Sequence, residues 1–244
     1  MRFLMEKKLV VITGASSGFG AEIAKQLSEL EYPLLLLARR VERLKALELP
    51  RTLCRQVDIT DPGSFEQAIK DAESQFGDVD CLINNAGVML LGNIEQQNPE
   101  EWKNMFSTNV LGLLHGMQLV LKKMKKNQSG TIINISSLAG RKTFEHHAAY
   151  SGTKFAVHGI SETVRWEVAP YNVRVITVSP GAAETELLEH TSQQDIKQGY
   201  AEWKSSIGGV ISAQDVAKAV IFCYQLPQGV CIREITIAPT KQQN

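Results

Sequence analysis

"LVVITGASSGFG", residues 9 to 20, joins a short apolar run to a cluster of small residues. The run 9 to 13 predicts a buried strand, and the segment 18 to 30 that follows has the apolar period of a helix. Glycines at 14, 18 and 20 permit a tight turn and let backbone N–H groups approach a phosphate at the start of that helix. A glycine turn alone is weak evidence, but one between a strand and a helix favours dinucleotide binding. We therefore expect this turn to hold the nucleotide through Gly14, Ser16, Ser17, Gly18, Phe19 and Gly20.

The same alternation of strand and helix continues along the chain. Short apolar runs predict further strands at 33 to 38, 53 to 58, 79 to 85, 130 to 137, 173 to 180 and 233 to 238. Helical periods lie between them, at 63 to 76, 99 to 126, 149 to 169 and 212 to 224. Such alternation is typical of βαβ units on a parallel sheet. The sequence thus predicts an α/β fold: a Rossmann-type doubly wound parallel seven-stranded sheet with helices on both faces, in one domain over residues 1 to 244.

The composition is that of a soluble globular chain without a global charge. Of 244 residues, 43% are hydrophobic and 21% are charged, and Lys plus Arg equal Asp plus Glu at 26 each. That balance gives no field to recruit nucleic acid or anionic lipid. Neither the start "MRFLMEKK" nor any other apolar run is long enough for a signal peptide or a membrane span. We therefore expect a cytoplasmic protein that binds neither nucleic acid nor membrane.

The four cysteines, at 54, 81, 223 and 231, form no C-x-x-C pair and have no histidine at zinc-ligand spacing. Cys54 and Cys81 lie in or beside apolar runs, which favours buried, reduced thiols. The sequence therefore predicts no metal site.

Residues 187 to 209, "LLEHTSQQDIKQGYAEWKSSIGG", interrupt the alternation with a long polar stretch. The stretch follows the strand at 173 to 180, and open α/β sheets bind ligands beyond the carboxyl ends of their strands. Insertions at such positions serve as lids, so we expect a mobile substrate loop over about 183 to 209. The alternative is an ordinary pair of surface helices.

The end of the second strand indicates which dinucleotide binds. In "LLLLARRVERL", residues 34 to 44, Arg39 and Arg40 stand where a carboxylate would select a cofactor that lacks the 2′-phosphate. A guanidinium matches phosphate geometry, so the stretch favours NADP(H), with Arg39 nearer the strand. The alternative is a pair of solvated charges at a helix start. Asp58 ends the third strand, where it could accept a hydrogen bond from the adenine amine or cap the next helix.

"AAYSGTKFAVHG", residues 148 to 159, sets a tyrosine four positions before a lysine. On a helix Tyr150 and Lys154 share one face within reach of each other. An isolated Tyr-x-x-x-Lys is more often a tyrosine packed against a lysine stem, so its meaning depends on the other motifs.

Those motifs occur together and in order: T-G-x-x-x-G-x-G at 13 to 20, "NNAG" at 84 to 87, "STNVLG" at 107 to 112, "INISS" at 133 to 137, Tyr150 with Lys154, and "PG" at 180 to 181. In this the whole chain resembles the short-chain dehydrogenase/reductase family. "LLLLARR" and the ending "CIREITIAPTKQQ" are most similar to its NADP-dependent hydroxy-acid and carbonyl reductases and to an NADPH-binding member that fluoresces blue. The resemblance implies a catalytic set of Asn109, Ser137, Tyr150 and Lys154. It also implies cofactor contacts from Ile59 beside Asp58, from Asn85, Ala86 and Gly87 on the adenosine side, and from Pro180, Gly181 and Thr185 around the nicotinamide.

Reducing a carbonyl requires a hydride on carbon and a proton on oxygen, and a side chain must supply the proton. Tyr150 can do so if its pKa falls from about 10 toward neutrality, which the Lys154 ammonium favours. Ser137 would donate a hydrogen bond to the substrate oxygen, although such a serine may equally cap a loop or helix. Asn109 matches the residue that holds a water in the family's proton relay, or is a buried structural amide.

The function predicted is an NADP(H)-dependent oxidoreductase that interconverts a small secondary alcohol, including hydroxy acids, and its ketone. The alternative is an NADPH-binding protein with weak turnover whose bound cofactor fluoresces blue. Substrate walls are expected from 88 to 92, 141 to 147 and 183 to 209, where Arg141, Lys142 or His147 could receive a carboxylate or remain solvated. The resemblance further implies a homodimer or homotetramer formed through the helices at 99 to 126 and 149 to 169.

Overall fold

The computed structural model describes residues 7–191 and 193–243, and its seven strands form one parallel sheet. The strands are β1 (Leu9–Thr13), β2 (Leu34–Ala38), β3 (Thr52–Gln56), β4 (Val79–Asn84), β5 (Gly130–Ile135), β6 (Val173–Pro180) and β7 (Glu234–Ile237). Their order is β3-β2-β1-β4-β5-β6-β7, so the winding reverses between β1 and β4. A doubly wound sheet opens its ligand crevice at this reversal. The predicted sheet is confirmed, while residues 1–6, 192 and 244 of the expected domain and loop lie outside the described residues.

Eight α-helices lie in the described part of the chain and cover both faces of the sheet. They are α1 (Gly18–Glu29), α2 (Val41–Lys45), α3 (Pro62–Phe76), α4 (Pro99–Phe106), α5 (Gly112–Asn127), α6 (Ala148–Val168), α7 (Gln194–Ser206) and α8 (Ala213–Gln225). The predicted helix at 99 to 126 is in fact two helices, because a π-helical turn over Ser107–Leu111 separates α4 from α5. The stretch 187 to 209 contains a 3-10 turn, Glu186–His190, and then α7.

The core has two layers, because successive strand residues point to opposite faces of the sheet. Val10 and Ile12 of β1 belong to the layer under α1 and α8, whereas Leu9 and Val11 belong to the layer under α3, α5 and α6. All four side chains are fully buried, and each contributes on the order of 2 kcal/mol of transfer free energy. The continuous apolar run that predicted β1 therefore reflects burial on both faces, which holds the strand ends that carry the site.

Three further features of residues 7–191 and 193–243 concern other kinds of function. No helix in these ranges is both long and apolar enough to cross a membrane. No cluster of His, Cys, Asp or Glu in them could hold a metal ion. Cys81 and Cys223 are buried, Cys54 and Cys231 are partly buried, and all four are free thiols.

Candidate active site

Two adjoining cavities open at the carboxyl edge of the sheet. One, the glycine-turn cavity, has a volume of about 330 Å³ and extends from the turn after β1 to Tyr150 and Lys154. The other, the aromatic cavity, has a volume of about 530 Å³ and lies between the loop after β5 and helix α7. The residues that line both are Phe19, Ser136, Tyr150, Thr185 and Leu187. Tyr150 therefore stands at the boundary between the two cavities.

The structure brings nearly all the predicted cofactor residues to these cavities. The glycine-turn cavity is lined by Gly14, Ser16, Ser17, Gly18, Phe19, Arg39, Arg40, Asp58, Ile59, Asn85, Ala86, Gly87, Tyr150, Lys154 and Thr185. Ser137, Pro180 and Gly181 line the aromatic cavity. Gly20 lines neither, and its place in the turn is structural: a Cβ there would lie 2.5 Å from the Gly14 carbonyl oxygen.

The turn after β1 is locked to the loop after β4. Gly14 has a φ of +64°, and a Cβ on it would lie 2.7 Å from the Ala86 Cα, so only glycine fits without strain. The Thr13 hydroxyl accepts hydrogen bonds from the backbone N–H groups of Asn85 and Ala86, each at 3.0 Å. The Asn85 side chain in turn donates to the carbonyl oxygens of Thr13 and Gly14, at 3.0 and 3.1 Å. These contacts shape a cradle of backbone and small side chains at the start of α1, which fits the phosphates of a dinucleotide.

Arginines after β2 bind the carboxylate of Glu186 at one end of the glycine-turn cavity. Nη2 of Arg40 lies 3.3 Å from the Ser16 hydroxyl, 3.0 Å from the Ser17 hydroxyl and 3.1 Å from a Glu186 carboxylate oxygen. Arg43 binds the same carboxylate at 2.9 Å. Burial alone would raise the pKa of Glu186, but hydrogen bonds from Arg43 and Arg40 and their charges keep it below its usual value. Arg39 lines the same cavity and, among the described residues, makes no hydrogen bond or ion pair.

The side chain of Asp58 stabilises a local turn. Its Oδ1 accepts hydrogen bonds from the Thr60 backbone N–H at 3.0 Å and the Thr60 hydroxyl at 2.7 Å. The helix that follows, α3, is capped instead by Asp61, whose side chain accepts from Gly63 N–H. Asp58 still lines the cavity, so its turn contacts and the predicted adenine contact are compatible.

Tyr150, Ser137 and Lys154 come together where β5 ends and α6 begins. The Ser137 hydroxyl lies close enough to the Tyr150 phenol to lower its pKa. The same hydroxyl accepts from the Ala139 backbone N–H at 3.1 Å, so it also caps the short 3-10 turn Leu138–Gly140. Lys154 Nζ lies 5.7 Å from the centre of the Tyr150 ring and donates to the Ile135 carbonyl oxygen at 3.0 Å. The structure thus shows Ser137 as a cap, and its position in the cavity wall leaves the predicted contact with a substrate oxygen open to it.

Burial changes the two titrating groups in opposite directions. Desolvation raises the pKa of Tyr150 above its usual value, and the hydrogen bond with Ser137 only partly offsets this. Desolvation lowers the pKa of Lys154 to about 8, so the ammonium still predominates at neutral pH. The expectation that the protein's own groups lower the pKa of Tyr150 is wrong, because Lys154 lies below the ring while the whole phenol is withdrawn from water. These groups keep the phenol protonated, which is the form a proton donor needs.

Asn109 links the chain segment at Val88 to helix α6. It lies in the π-helical turn, where its Oδ1 accepts from the Val88 N–H at 2.8 Å and its Nδ2 donates to the Val88 carbonyl oxygen at 2.9 Å. The Nδ2 also lies 3.1 Å from the Thr153 hydroxyl on α6. The extra residue of a π turn is a frequent way to aim one side chain. The side chain therefore has the contacts of a buried structural amide, and the predicted role in a proton relay stays a prediction.

A family model described as short chain dehydrogenase matches residues 8–196, most of the chain. The chain belongs to the short-chain dehydrogenase family. An uncharacterized oxidoreductase of Staphylococcus saprophyticus is 38% identical over 98% of this chain and 98% of its own. Another of Listeria monocytogenes is 33% identical over 98% of both chains. The fold and motifs predicted from the sequence are thus those of an oxidoreductase family that uses nicotinamide cofactors.

Solved structures of the family superpose closely on this dehydrogenase. The closed form of a serine dehydrogenase complexed with NADP+ has a TM-score of 0.89 at 28% identity, over 97% of this chain and 96% of that one. An alcohol dehydrogenase of the archaeon Thermococcus sibiricus, complexed with 5-hydroxy-NADP, has a TM-score of 0.86 at 28% identity, over 98% and 99% of the two chains. Both similarities extend over nearly the full chains.

The sequence reading of this dehydrogenase missed several residues that line the cavities or complete them. Gln242, near the end of the chain, accepts a hydrogen bond from the Ala182 N–H at 2.8 Å and lines the aromatic cavity. Arg43 and Glu186 complete the anion group around Arg40. Tyr200 and Trp203 of α7 line the aromatic cavity, and their i, i+3 spacing in an otherwise polar stretch was a signal that could have found them.

Proposed function

We propose that this dehydrogenase interconverts a secondary alcohol and its ketone with NADP(H), using Tyr150 as proton donor and acceptor. The observation that carries the proposal is the buried Tyr150 side chain, which lines both cavities and has Ser137 beside it in the aromatic cavity. A nucleotide in the glycine-turn cavity and a carbonyl compound in the aromatic cavity would meet at that phenol. A protein that only stores the nucleotide has no use for this arrangement.

The bound cofactor supplies a hydride, with its electron pair, to the carbonyl carbon and is oxidised in the process. Tyr150 gives its proton to the carbonyl oxygen, so the C=O double bond becomes a C–OH and a C–H single bond. Ser137 donates a hydrogen bond to the oxygen as negative charge develops there. Lys154, held by the Ile135 carbonyl, lines the glycine-turn cavity, where its ammonium would hold the cofactor beside Tyr150. In the alcohol-oxidising direction the same groups act in reverse.

The preference for NADP(H) rests on the anion group at the end of β2. A carboxylate, Glu186, lies against Arg40 and Arg43, and Arg40 also contacts the Ser17 hydroxyl, so this corner favours negative charge. A 2′-phosphate offers the same guanidiniums more charge and more acceptors than a carboxylate does. Arg39 faces the same cavity and adds a further donor set. Related structures with NADP+ and 5-hydroxy-NADP support the choice.

We also propose that the segment 183 to 209 serves as the cover of the active site. Thr185 and Leu187 line both cavities, and Ile196, Tyr200 and Trp203 of α7 line the aromatic one. A substrate in the aromatic cavity would therefore contact this segment directly. The segment is therefore placed to open for substrate and to exclude water once closed.

A homodimer is proposed from apolar side chains left exposed on α4, the π turn, α5 and α6. They are Phe106, Leu111, Leu114, Phe155 and Trp166. Large apolar side chains concentrated on neighbouring helices mark protein contact surfaces. Sedimentation of the wild type and of Phe155→Glu tests this. We expect the variant to shift toward monomer, and an unchanged assembly would exclude this face.

The test of function is a titration of the purified protein with NADPH and with NADH, followed by their emission, and then addition of a panel of ketones and aldehydes. We expect tighter binding of NADPH and its oxidation by at least one panel member. Tight binding with persistent blue emission and no oxidation across the panel would instead support the nucleotide-holding alternative. Equal affinity for both cofactors would reject the preference for NADP(H).

A further inference from the structure

Among the described residues, no Lys or Arg lines the aromatic cavity. Its charged lining residues among those described are two acids, Glu145 and Asp195. Burial keeps the pKa of His147 below its usual value despite a hydrogen bond with the Glu145 carbonyl oxygen, which favours the neutral ring. A carboxylate brought into this cavity would find no Lys or Arg in the described lining and two like charges.

The cations that sequence reasoning offered for a carboxylate lie elsewhere. Arg141 is paired with Glu234 on the surface, and neither Arg141 nor Lys142 lines the aromatic cavity. Lys204 of α7 is paired with Glu184 at 3.3 Å. Burying a carboxylate without a partner is costly, so a small oxo acid is a poor occupant.

The wall next to Tyr150 contains a row of aromatic rings, each close to the next in space. The ring centre of His147 lies 6.1 Å from that of Tyr150, 5.6 Å from Phe144 and 6.3 Å from Tyr200. The ring of Tyr200 lies 5.3 Å from that of Trp203. These spacings are those of tilted and edge-to-face aromatic pairs. Rings at such spacings present an edge or a face to a flat apolar group whose carbonyl reaches Tyr150.

Aliphatic side chains complete the cavity and leave room for more than a ketone group. Met89, Leu91, Leu187 and Ile196 line it together with the rings. Its volume of about 530 Å³ lies within the range of pockets that enclose drug-sized ligands. The wall is thus largely aliphatic and aromatic, with polar groups from Ser136, Ser137, Thr185 and Gln242 besides its histidines and two acids.

We propose that the substrate of this site is a neutral carbonyl compound bearing an aromatic ring, or the matching alcohol, and that the site discriminates against oxo acids. The proposal rests on the proposed function and names its substrate class. The ring packs among His147, Tyr200 and Trp203, and the carbonyl oxygen meets Tyr150 and Ser137. Reduction places the cofactor hydride on the carbonyl carbon and the Tyr150 proton on the carbonyl oxygen.

The test is a matched pair of phenyl ketones, propiophenone and benzoylformate, of which only the second carries a carboxylate. NADPH oxidation is measured with each, and with butanone as a ketone without a ring. We expect kcat/KM for propiophenone to exceed that for benzoylformate by about tenfold or more, the scale set by an unpaired polar group in a site. Equal or faster turnover of benzoylformate overturns the proposal, and so does butanone as the best of the three.

Binding separates a failure of this proposal from a failure of the proposed function. If no ketone oxidises NADPH, quenching of tryptophan emission by propiophenone and benzoylformate still measures which of them the cavity accepts, with Trp203→Phe identifying the contribution of the cavity tryptophan. Tighter binding of propiophenone supports the substrate class even without turnover. Equal or tighter binding of benzoylformate, or no quenching by either compound, overturns it.

A charge reversal on α7 sharpens the test. Asp195→Lys places a cation at the cavity, whereas Glu202→Lys makes the same change on an exposed residue of the same helix that does not line it. We expect Asp195→Lys to shift the ratio of kcat/KM for benzoylformate over propiophenone upward by about tenfold, and Glu202→Lys to leave it within about twofold. An equal shift in both variants would mean that the cavity charge does not determine the discrimination.

Discussion

The two cavities that meet at Tyr150 are built from different materials. The glycine-turn cavity is shaped by backbone, with Gly14 pressed against Ala86 and the Thr13 hydroxyl tied to the next strand. The aromatic cavity is walled mainly by side chains from separate segments, among them the loop with Phe144 and His147 and the helix α7. Backbone contacts restrict residue type, because only small residues allow the approach, whereas a side-chain wall can be built in many ways. The first cavity should therefore be intolerant of substitution and the second tolerant.

The largest effect is expected at the boundary itself, from Tyr150→Phe. The variant keeps the ring and its packing but loses the proton, so kcat should fall by about 10²–10⁴-fold while NADPH binding stays within about twofold. Tyr171→Phe, on an exposed ring far along the chain, is the matched control and should leave both quantities unchanged. Turnover that survives in Tyr150→Phe would remove the assigned proton donor.

The next largest effect is expected in the glycine-turn cavity, from Gly14→Ala. The new Cβ would lie 2.7 Å from the Ala86 Cα at a φ of +64°, so the turn must shift. We expect about 2–4 kcal/mol lower unfolding free energy and a loss of at least tenfold in NADPH affinity. Thermal unfolding and cofactor titration measure the two. A stable variant with wild-type affinity would contradict the account of this cavity as backbone-limited.

A moderate effect is expected from the arginines after β2. Arg40→Ala and Arg39→Ala should each weaken NADPH by about tenfold and NADH by less than about twofold, because only NADPH carries the 2′-phosphate. Glu186→Gln should act in the opposite direction and tighten NADPH about threefold, since its carboxylate occupies Arg40 and Arg43. Affinities for both cofactors are measured for all three variants. Equal losses for NADPH and NADH would reject the 2′-phosphate assignment.

The smallest effect is expected in α7, from Gly199→Ala. Gly199 lines the aromatic cavity, yet an added Cβ meets no atom within 4 Å. In a helix interior the exchange should raise the unfolding free energy by up to about 1 kcal/mol and leave NADPH affinity unchanged. The unfolding free energies of Gly199→Ala and Gly14→Ala, measured together, compare one glycine from each cavity. Similar destabilisation by both substitutions would erase the difference between the two regions.

The sequence predicted the glycine-turn cavity, which is shaped by backbone, more completely than the aromatic cavity. The alternation of apolar runs predicted all seven strands of the sheet. Fifteen of the cofactor-binding residues predicted from the motifs line the glycine-turn cavity. The prediction from the sequence missed the π turn that divides α4 from α5, because one extra residue shifts the phase of the apolar pattern but leaves helical spacing on both sides. It also favoured Arg39 over Arg40, whereas Arg40 is the arginine that contacts Ser16 and Ser17. Side-chain direction after a strand end depends on the loop that follows, which local pattern does not encode.

By itself the sequence determined the class of sheet, the glycine turn and the pairing of Tyr150 with Lys154. Each of these depends on neighbours a few residues away, through strand burial, turn geometry or helix spacing. Only the tertiary structure decided that Glu186 meets Arg40 across 146 positions of the chain, and that His147 meets Tyr200 beside the phenol. It also decided the direction of the Tyr150 pKa, because desolvation depends on everything packed around the ring. Contacts between distant segments follow from how the sheet brings its loops to one edge, and no local spacing records them.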